Sequence, residues 1–336
     1  MKRAVTVIGL CGLMLLPACA ARVPGHEPLA QAPAREVAAS LQLPAAWEPG
    51  PVVPGLAQGA VPQGLARHPA SGLVLTSHYF TDGRPSALVA LDWARGAAIG
   101  TFYLQAPDGS AHRGHVGGIA ADADSLWIAS DAYLYRGDIA DILGNPAAGS
   151  FRTRQRFATE ATHEVAFCTV YDGQVWAGEF AHGDRYPTDP GHHLTARDGS
   201  VRHGWVSAYD PATGFDRPRR VLSVPDHAQG MAATEDTIYL SVSYGRRSRS
   251  AVEVYRNPLA GPPHRMARTS QGAEVPLWFL DGDNRVRTID LPPQSQNVIL
   301  IDGQLAVLFE SGAARYRLFG GKPLDRIVLL PLTGLP

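Results

Sequence analysis

The chain has little cysteine, no long basic run and no segment with the pattern of a long amphipathic helix. Its three cysteines are Cys11, Cys19 and Cys168. That is too few for a disulfide framework. Lysine and arginine (30) nearly balance aspartate and glutamate (31), so the formal charge is −1, which with no basic run argues against a nucleic-acid partner. Signatures of chemistry are also missing. There is no Gly-x-Ser-x-Gly elbow, no phosphate-cradling glycine loop and no dinucleotide fingerprint. His163-Glu164 opens like a zinc-protease helix but lacks the second histidine. Asp281-Gly282-Asp283-Asn284 lacks the later Gly and Glu of a calcium loop and reads as a hairpin turn.

What is present begins at the N-terminus. Lys2 and Arg3 precede an apolar run over residues 4–16, the pattern of a signal-peptide core and too short to span a bilayer. Leu16-Pro17-Ala18-Cys19 then resembles the bacterial lipobox, in which the cysteine thiol receives a diacylglycerol. Residues 1–18 are expected to be a lipoprotein signal peptide, with lipidation on Cys19 and attachment to a membrane of the cell envelope. The expected location is extracytoplasmic, in the periplasm or at the surface. An ordinary cleaved signal, cut after Ala18 or Ala20, is the alternative. Residues 19–59 contain Pro24, Pro28, Pro33, Pro44, Pro49, Pro51 and Pro54 and read as a Pro/Ala-rich tether. Removal of Cys11 and lipidation of Cys19 leave only Cys168, in an apolar run, where a small buried hydrophobe is expected.

From residue 60 to 336 the pattern is short strands divided by Gly, Asp and Pro turns, an all-β signature. The whole chain is 45% hydrophobic, enough to build a substantial core. A hairpin recurs. Gln63-Gly64-Leu65-Ala66, Gly117-Gly118-Ile119-Ala120 and Gln229-Gly230-Met231-Ala232 each lead through a turn to an apolar strand. Ala166-Phe167-Cys168-Thr169 and Gln296-Asn297-Val298-Ile299 are degenerate copies. Two further strands per unit predict a β-propeller of five four-stranded blades, with six as the alternative. The outer strands are placed at residues 86–92 with 97–104, 133–138 with 151–157, 205–209 with 220–224, 251–255 with 275–280 or 285–291, and 314–318 with 326–332.

His115-Val116-Gly117-Gly118-Ile119-Ala120 with Leu126-Trp127, Gln229-Gly230-Met231-Ala232, and Leu308-Phe309-Glu310-Ser311-Gly312-Ala313 resemble secreted β-propeller proteins of bacteria. At the level of fold the resemblance extends to lactonase-type and quinoprotein-dehydrogenase-like propellers. It implies the fold and no activity. Five-bladed glycosidases place a carboxylate on the first blade, where this chain has Val61 or Gln63. Lactonase-type propellers hold calcium with Glu, Asn and Asp, where this chain has mostly His and Gln.

Blade geometry sorts the polar residues. Val61, His115, Glu164, His227 and Gln294 align as one ring around the axis, and Gln63, Gly117, Ala166, Gln229 and Gln296 as a second ring two residues on. Nine histidines fall on that face: His78, His112, His115, His163, His182, His192, His193, His203 and His227. The longest loop, residues 180–204, belongs there too. Glu164, Glu179 and Glu310, with Asp131, are the carboxylates near the mouth, and Arg246, Arg247 and Arg249 sit in a loop that reads first as a solvated turn and otherwise as an arginine fork for a carboxylate or phosphate. The rings can be a self-satisfied polar network, a ligand or partner site, or a metal site using His115, His227, His163 or His192. No cofactor is required by the sequence, and a transition metal is compatible with it. The leading expectation is a monomeric binding module for a small polar ligand or an envelope protein. The alternative is a hydrolase or lyase with His115 or His227 as general base, Glu164 orienting it, and Gln63 or Gln229 holding substrate.

Overall fold

The computed structural model describes residues 27–32, 44, 46–161, 163–317 and 323–332. Cys19 and the signal segment lie outside the described residues.

Five blades, each built on four antiparallel strands, stand around one axis. Blade 1 runs Val61–Arg67, Val74–Tyr79, Ala87–Asp92 and Ala97–Gln105; blade 2 runs Gly118–Ala121, Ser125–Ser130, Tyr133–Asp138 and Gln155–Ala158. Blade 3 runs Phe167–Tyr171, Gln174–Gly178, Gly204–Tyr209 and Arg220–Val224; blade 4 runs Ala228–Ala233, Thr237–Val242, Ser250–Arg256 and Arg285–Leu291. Blade 5 runs Ser295–Ile301, Gln304–Phe309 and Arg326–Pro331, and its outermost strand is Glu48–Val52. The five innermost strands touch one another in cyclic order, which closes the propeller.

The repeated Gly is explained at the axis. A Cβ on Gly64 would lie 2.7 Å from the backbone nitrogen of Ile119, and one on Gly230 would lie 2.7 Å from Cα of Asn297. Neighbouring inner strands therefore approach as closely as they do only because these positions carry no side chain. The residue before each Gly is a glutamine in an irregular stretch of the ladder. Register shifts fall between Pro62 and Leu65, between Ala228 and Gly230, and between Ser295 and Val298. A bulge re-aims the side chain at the extra residue, and here those stretches hold Gln63, Gln229 and Gln296.

The apolar cores lie between facing blades. Leu75, Phe102, Ile119, Ile128 and Phe151 fill the space between blades 1 and 2. Leu65, Val89, Leu308 and Ile327 fill that between blades 5 and 1. The hairpin turns use the expected chemistry: Asp172-Gly173 and Asp302-Gly303 both have positive φ at the two positions, as a type I′ turn requires. Cys168 is buried and free, and burial pushes its thiol up to about 12.

Several expected strands pair differently. Residues 151–157 divide: Ser150–Arg152 pairs in parallel with the edge of blade 1, and only Gln155–Ala158 closes blade 2. Arg285–Leu291 closes blade 4, whereas Glu274–Phe279 pairs in parallel with Arg220–Val224 and extends blade 3 together with Arg265–Arg268. Residues 314–317 are turns, so Arg326–Pro331 is the third strand of blade 5. The fourth comes from the segment read as tether. Upstream of it, Leu29 is 2% exposed and packs in the core between blades 5 and 1. Its amide donates to Thr101 Oγ1 at 3.0 Å, and the Gln31 amide group donates to the carbonyls of Val52 and Gly96. The folded body therefore begins well before residue 60.

Candidate functional site

One end of the channel opens into a cavity of about 380 Å³. Its floor is three glutamines around a carboxylate. Gln63 Nε2 donates to Glu310 Oε2 at 3.0 Å, and Gln294 Nε2 donates to Glu310 Oε1 at 3.2 Å. Gln63 Nε2 also donates to the Pro62 carbonyl. Burial pushes the Glu310 carboxyl above its ordinary range, against the opposing effect of the hydrogen bonds from Gln294 and Gln63 and of nearby His115. Gln294 and Gln296 are 3% and 4% exposed, yet Oε1 of each has no hydrogen-bond partner. A buried polar atom without a partner costs about 1–3 kcal/mol, so these two oxygens are the uncompensated feature of the floor.

The walls are aromatic and histidine-bearing. Tyr79 and Tyr316 bring their hydroxyls to 3.2 Å, and Tyr79 packs on the His115 ring with centroids 4.6 Å apart. Burial raises the pKa of both tyrosines, so both keep their protons at neutral pH. His115 Nδ1 lies 3.3 Å from Glu164 Oε1 without hydrogen-bond geometry, and that nitrogen has no other partner. On the opposite wall Gln229 Nε2 reaches the Ser243 carbonyl at 3.4 Å. Three exposed arginines stand at the rim: Arg185, Arg246 and Arg315. Arg246 and Arg315 lie over the Tyr316 ring, and Arg185 donates to the Tyr244 hydroxyl.

Gln63, His115, Glu164, Gln229, Gln294 and Gln296, from the two aligned rings, line one cavity together with Glu310 and Arg246. His227 does not line it. Its Nε2 is 2.7 Å from His182 Nδ1, and the Tyr244 ring stacks on both imidazoles, 3.8 Å from His182 and 4.9 Å from His227. Burial, then His182, lowers the His227 pKa.

Of the nine histidines placed on that face, His115 is the one that lines the cavity. His78 is fully buried, 2.8 Å from Thr76 Oγ1, and burial pushes its pKa down to about 3. His112 bonds Ser130, and His203 pairs with Asp226 at 2.9 Å. His163 is exposed. His192 and Glu179 are also removed from the mouth. His192 is 1% exposed and stacks on Trp205 at 3.9 Å, with Nδ1 2.9 Å from Glu179 Oε2. Glu179 also accepts from the Trp205 amide at 2.9 Å. These contacts pin the long loop to blade 3. Among the described residues no three His, Cys, Asp or Glu side chains converge as a metal site. The four histidines weighed as ligands are dispersed among the cavity wall, the His182 pair, an exposed loop and the blade 3 interior.

Arg185 reaches the cavity from the long loop expected on this face, whereas Tyr79, Tyr316 and Arg315 also line it and sequence pattern does not single them out. Tyr316 and Arg315 stand in the stretch expected to be a strand, and its folding as a turn is what brings them to the cavity.

No protein-family profile matches the chain, and no curated protein matches it. Solved structures do. A glycoside hydrolase of the GH43_1 class from Xanthomonas citri, complexed with xylose, is 13% identical over 85% of this chain and 89% of that one, with a TM-score of 0.48. A putative oxidoreductase (glucose dehydrogenase) from Thermus thermophilus is 12% identical over 84% and 98%, TM-score 0.43. Hydrazine synthase of Kuenenia stuttgartiensis is 9% identical, TM-score 0.34; the match covers 73% of this chain and 55% of that one, so the chain spans about half its length. At these identities the likeness is one of fold.

Proposed function

We propose that this chain is a lipid-anchored envelope β-propeller that binds a small polar ligand in the mouth of its channel. One observation carries the binding half. Gln294 and Gln296 are almost wholly buried in the cavity floor, and their amide oxygens have no hydrogen-bond partner. Buried polar groups in folded proteins are nearly always satisfied, and a ligand donor that a glutamine side chain turns to meet would supply what is missing. The size suits a small molecule, since ligand cavities run from about 300 Å³ upward. The anchoring half rests on Leu16-Pro17-Ala18-Cys19 and the apolar run before it.

The binding half is tested by thermal denaturation of the purified full chain against a library of polar metabolites. At least one compound raises Tm of the wild type and fails to raise that of Gln296→Leu. An equal shift in both places the binding elsewhere and overturns the reading. For the anchor, labelled palmitate should enter the wild type and not Cys19→Ala. Cleavage after Ala18 or Ala20 without label overturns it.

A second reading is favoured by one geometric pair. His115 Nδ1 faces Glu164 at 3.3 Å in the same cavity as Glu310, whose carboxyl is shifted upward. A histidine facing a carboxylate, and a second carboxyl nearby whose pKa burial raises, are the parts of a general base and acid. On this reading the chain is a hydrolase or lyase. Turnover of the bound compound, lost in His115→Ala with binding retained, distinguishes it from the binding module.

A further inference from the structure

Resting on the ligand-site reading of the mouth, we propose that the ligand is a small zwitterion, an α-amino acid or short peptide, with its primary ammonium on the glutamine floor and its carboxylate at the arginine rim.

Charge and hydrogen-bonding capacity separate along the depth of the cavity. At the floor, Gln63 and Gln294 turn their amide nitrogens onto Glu310. An amide that donates with its nitrogen points its oxygen elsewhere. For Gln294, and likewise for Gln296, that oxygen is buried and unpaired. The floor therefore presents a carboxylate whose hydrogen bonds come from amides rather than from a cation, with the unpaired amide oxygens enclosed beside it. The complement of such a floor is a positive group rich in donors. A primary ammonium is a compact point charge with three donors and no acceptor. It pairs with the Glu310 carboxylate, and a turn of either glutamine amide would bring an unpaired oxygen onto one of its remaining N–H donors. A neutral hydroxyl offers one donor and no charge.

The rim has the opposite character. Arg185, Arg246 and Arg315 are exposed there, each beside a tyrosine. Guanidinium groups in this setting recognise a carboxylate by paired N–H donors. A molecule positive at one end and negative at the other matches both layers. A polyhydroxylated anion satisfies only the rim, and a simple amine only the floor. A quaternary ammonium carries the charge without donors, and leaves both glutamine oxygens unpaired.

Isothermal titration of the full chain tests this with the common amino acids, L-alanyl-L-alanine, its N-acetylated and C-amidated forms, glycine betaine, glucuronate and xylose. At least one free zwitterion should bind saturably. Capping either of its ends, or replacing its ammonium by a quaternary one, should weaken binding by about tenfold or more, which is about 1.4 kcal/mol. Glu310→Gln, which keeps the shape of the floor, should weaken it to a similar degree, and so should Arg246→Gln combined with Arg315→Gln. Should those variants fail to fold, the capped ligands on the wild type decide. Equal affinity for free and capped forms, or affinity unchanged in folded Glu310→Gln, overturns the inference. Binding of glucuronate or xylose alone, abolished by Gln296→Leu, overturns it while the ligand-site reading stands. If nothing binds, both fall.

Discussion

Gln63 on the first blade donates to Glu310 on the last at 3.0 Å, across 247 positions of sequence. The bond joins the two ends of the ring at its axis, and it holds the one carboxylate of the floor in a cage of amides. The Glu310 carboxyl has its folded pKa raised above the ordinary 4.5, burial being the largest cause. The sign follows from linkage. The protonated form is favoured in the fold, so this group's contribution to stability is fully present below about pH 4.5 and is lost as pH rises through the folded pKa. Glu310→Gln lacks that titration. Wild type minus Glu310→Gln stability, measured by denaturant unfolding, should therefore fall as pH rises from acid to neutral. A flat difference contradicts the desolvated carboxylate.

His78 shifts the other way from the same cause. Buried wholly and pushed down from 6.5 to about 3, it folds neutral. Its contribution is present above pH 6.5 and is lost as pH falls toward the folded value, because the unfolded chain takes up the proton first. Between about pH 7 and pH 5 this costs about 2 kcal/mol. His78→Gln should be less stable than wild type at neutral pH and should show a smaller loss on acidification. Chemical denaturation at both pH values checks it. His112, His227 and His264 are lowered too, so the difference between the two proteins is the quantity to read.

Glu179 holds the long loop rather than a ligand. Its carboxylate accepts from the Trp205 amide and faces His192 Nδ1. Truncation leaves two buried groups unpaired, and breaking a buried pair of this kind costs about 3–5 kcal/mol. Glu179→Ala should therefore lose several kcal/mol by denaturant unfolding, and Glu179→Gln less. Ligand affinity of the variant that still folds should stay near the wild-type value. A Glu179→Ala chain of wild-type stability would remove the role assigned to this residue.

The N-terminal strand closes the last blade. A chain beginning at residue 60 lacks Glu48–Val52 and leaves the edge of Arg326–Pro331 unpaired. It also lacks Leu29, Val53 and Leu56 from the core between blades 5 and 1. Calorimetry should show a single cooperative transition for a chain beginning at residue 27, a lower Tm for one beginning at residue 46, and no cooperative transition for one beginning at residue 60. Equal Tm values for the three would contradict the closure.

The repeated Gln-Gly hairpins made the propeller and its axial glutamines legible, because close strand approach at the axis demands glycine and the bulge there aims the glutamine inward. The closing strand was not legible. Residues 48–52 read Glu-Pro-Gly-Pro-Val, and Pro49 and Pro51 argue against a strand everywhere except at a sheet edge, which is where the segment lies. Its partner is also far away in sequence, and local pattern carries no information on such pairing. The histidines failed for a different reason. Strand register places a side chain on a face, but whether a loop then buries it is decided by tertiary packing. His192, on the long loop, turns inward onto Trp205, and His182 turns to His227 rather than to the channel. Tyr316 and Arg315 were hidden because residues 314–317 fold as turns rather than as a strand.

The most direct test is the side-chain amide spectrum of the glutamines. In ¹⁵N-labelled protein the amide signals of Gln63, Gln294 and Gln296, assigned by single substitution, should move in a saturable way as the bound compound is added. Signals from residues at the other end of the channel, such as Asn297, should stay in place. Movement confined to that other end, or saturation with the three glutamine signals unchanged, would contradict a ligand site at the mouth.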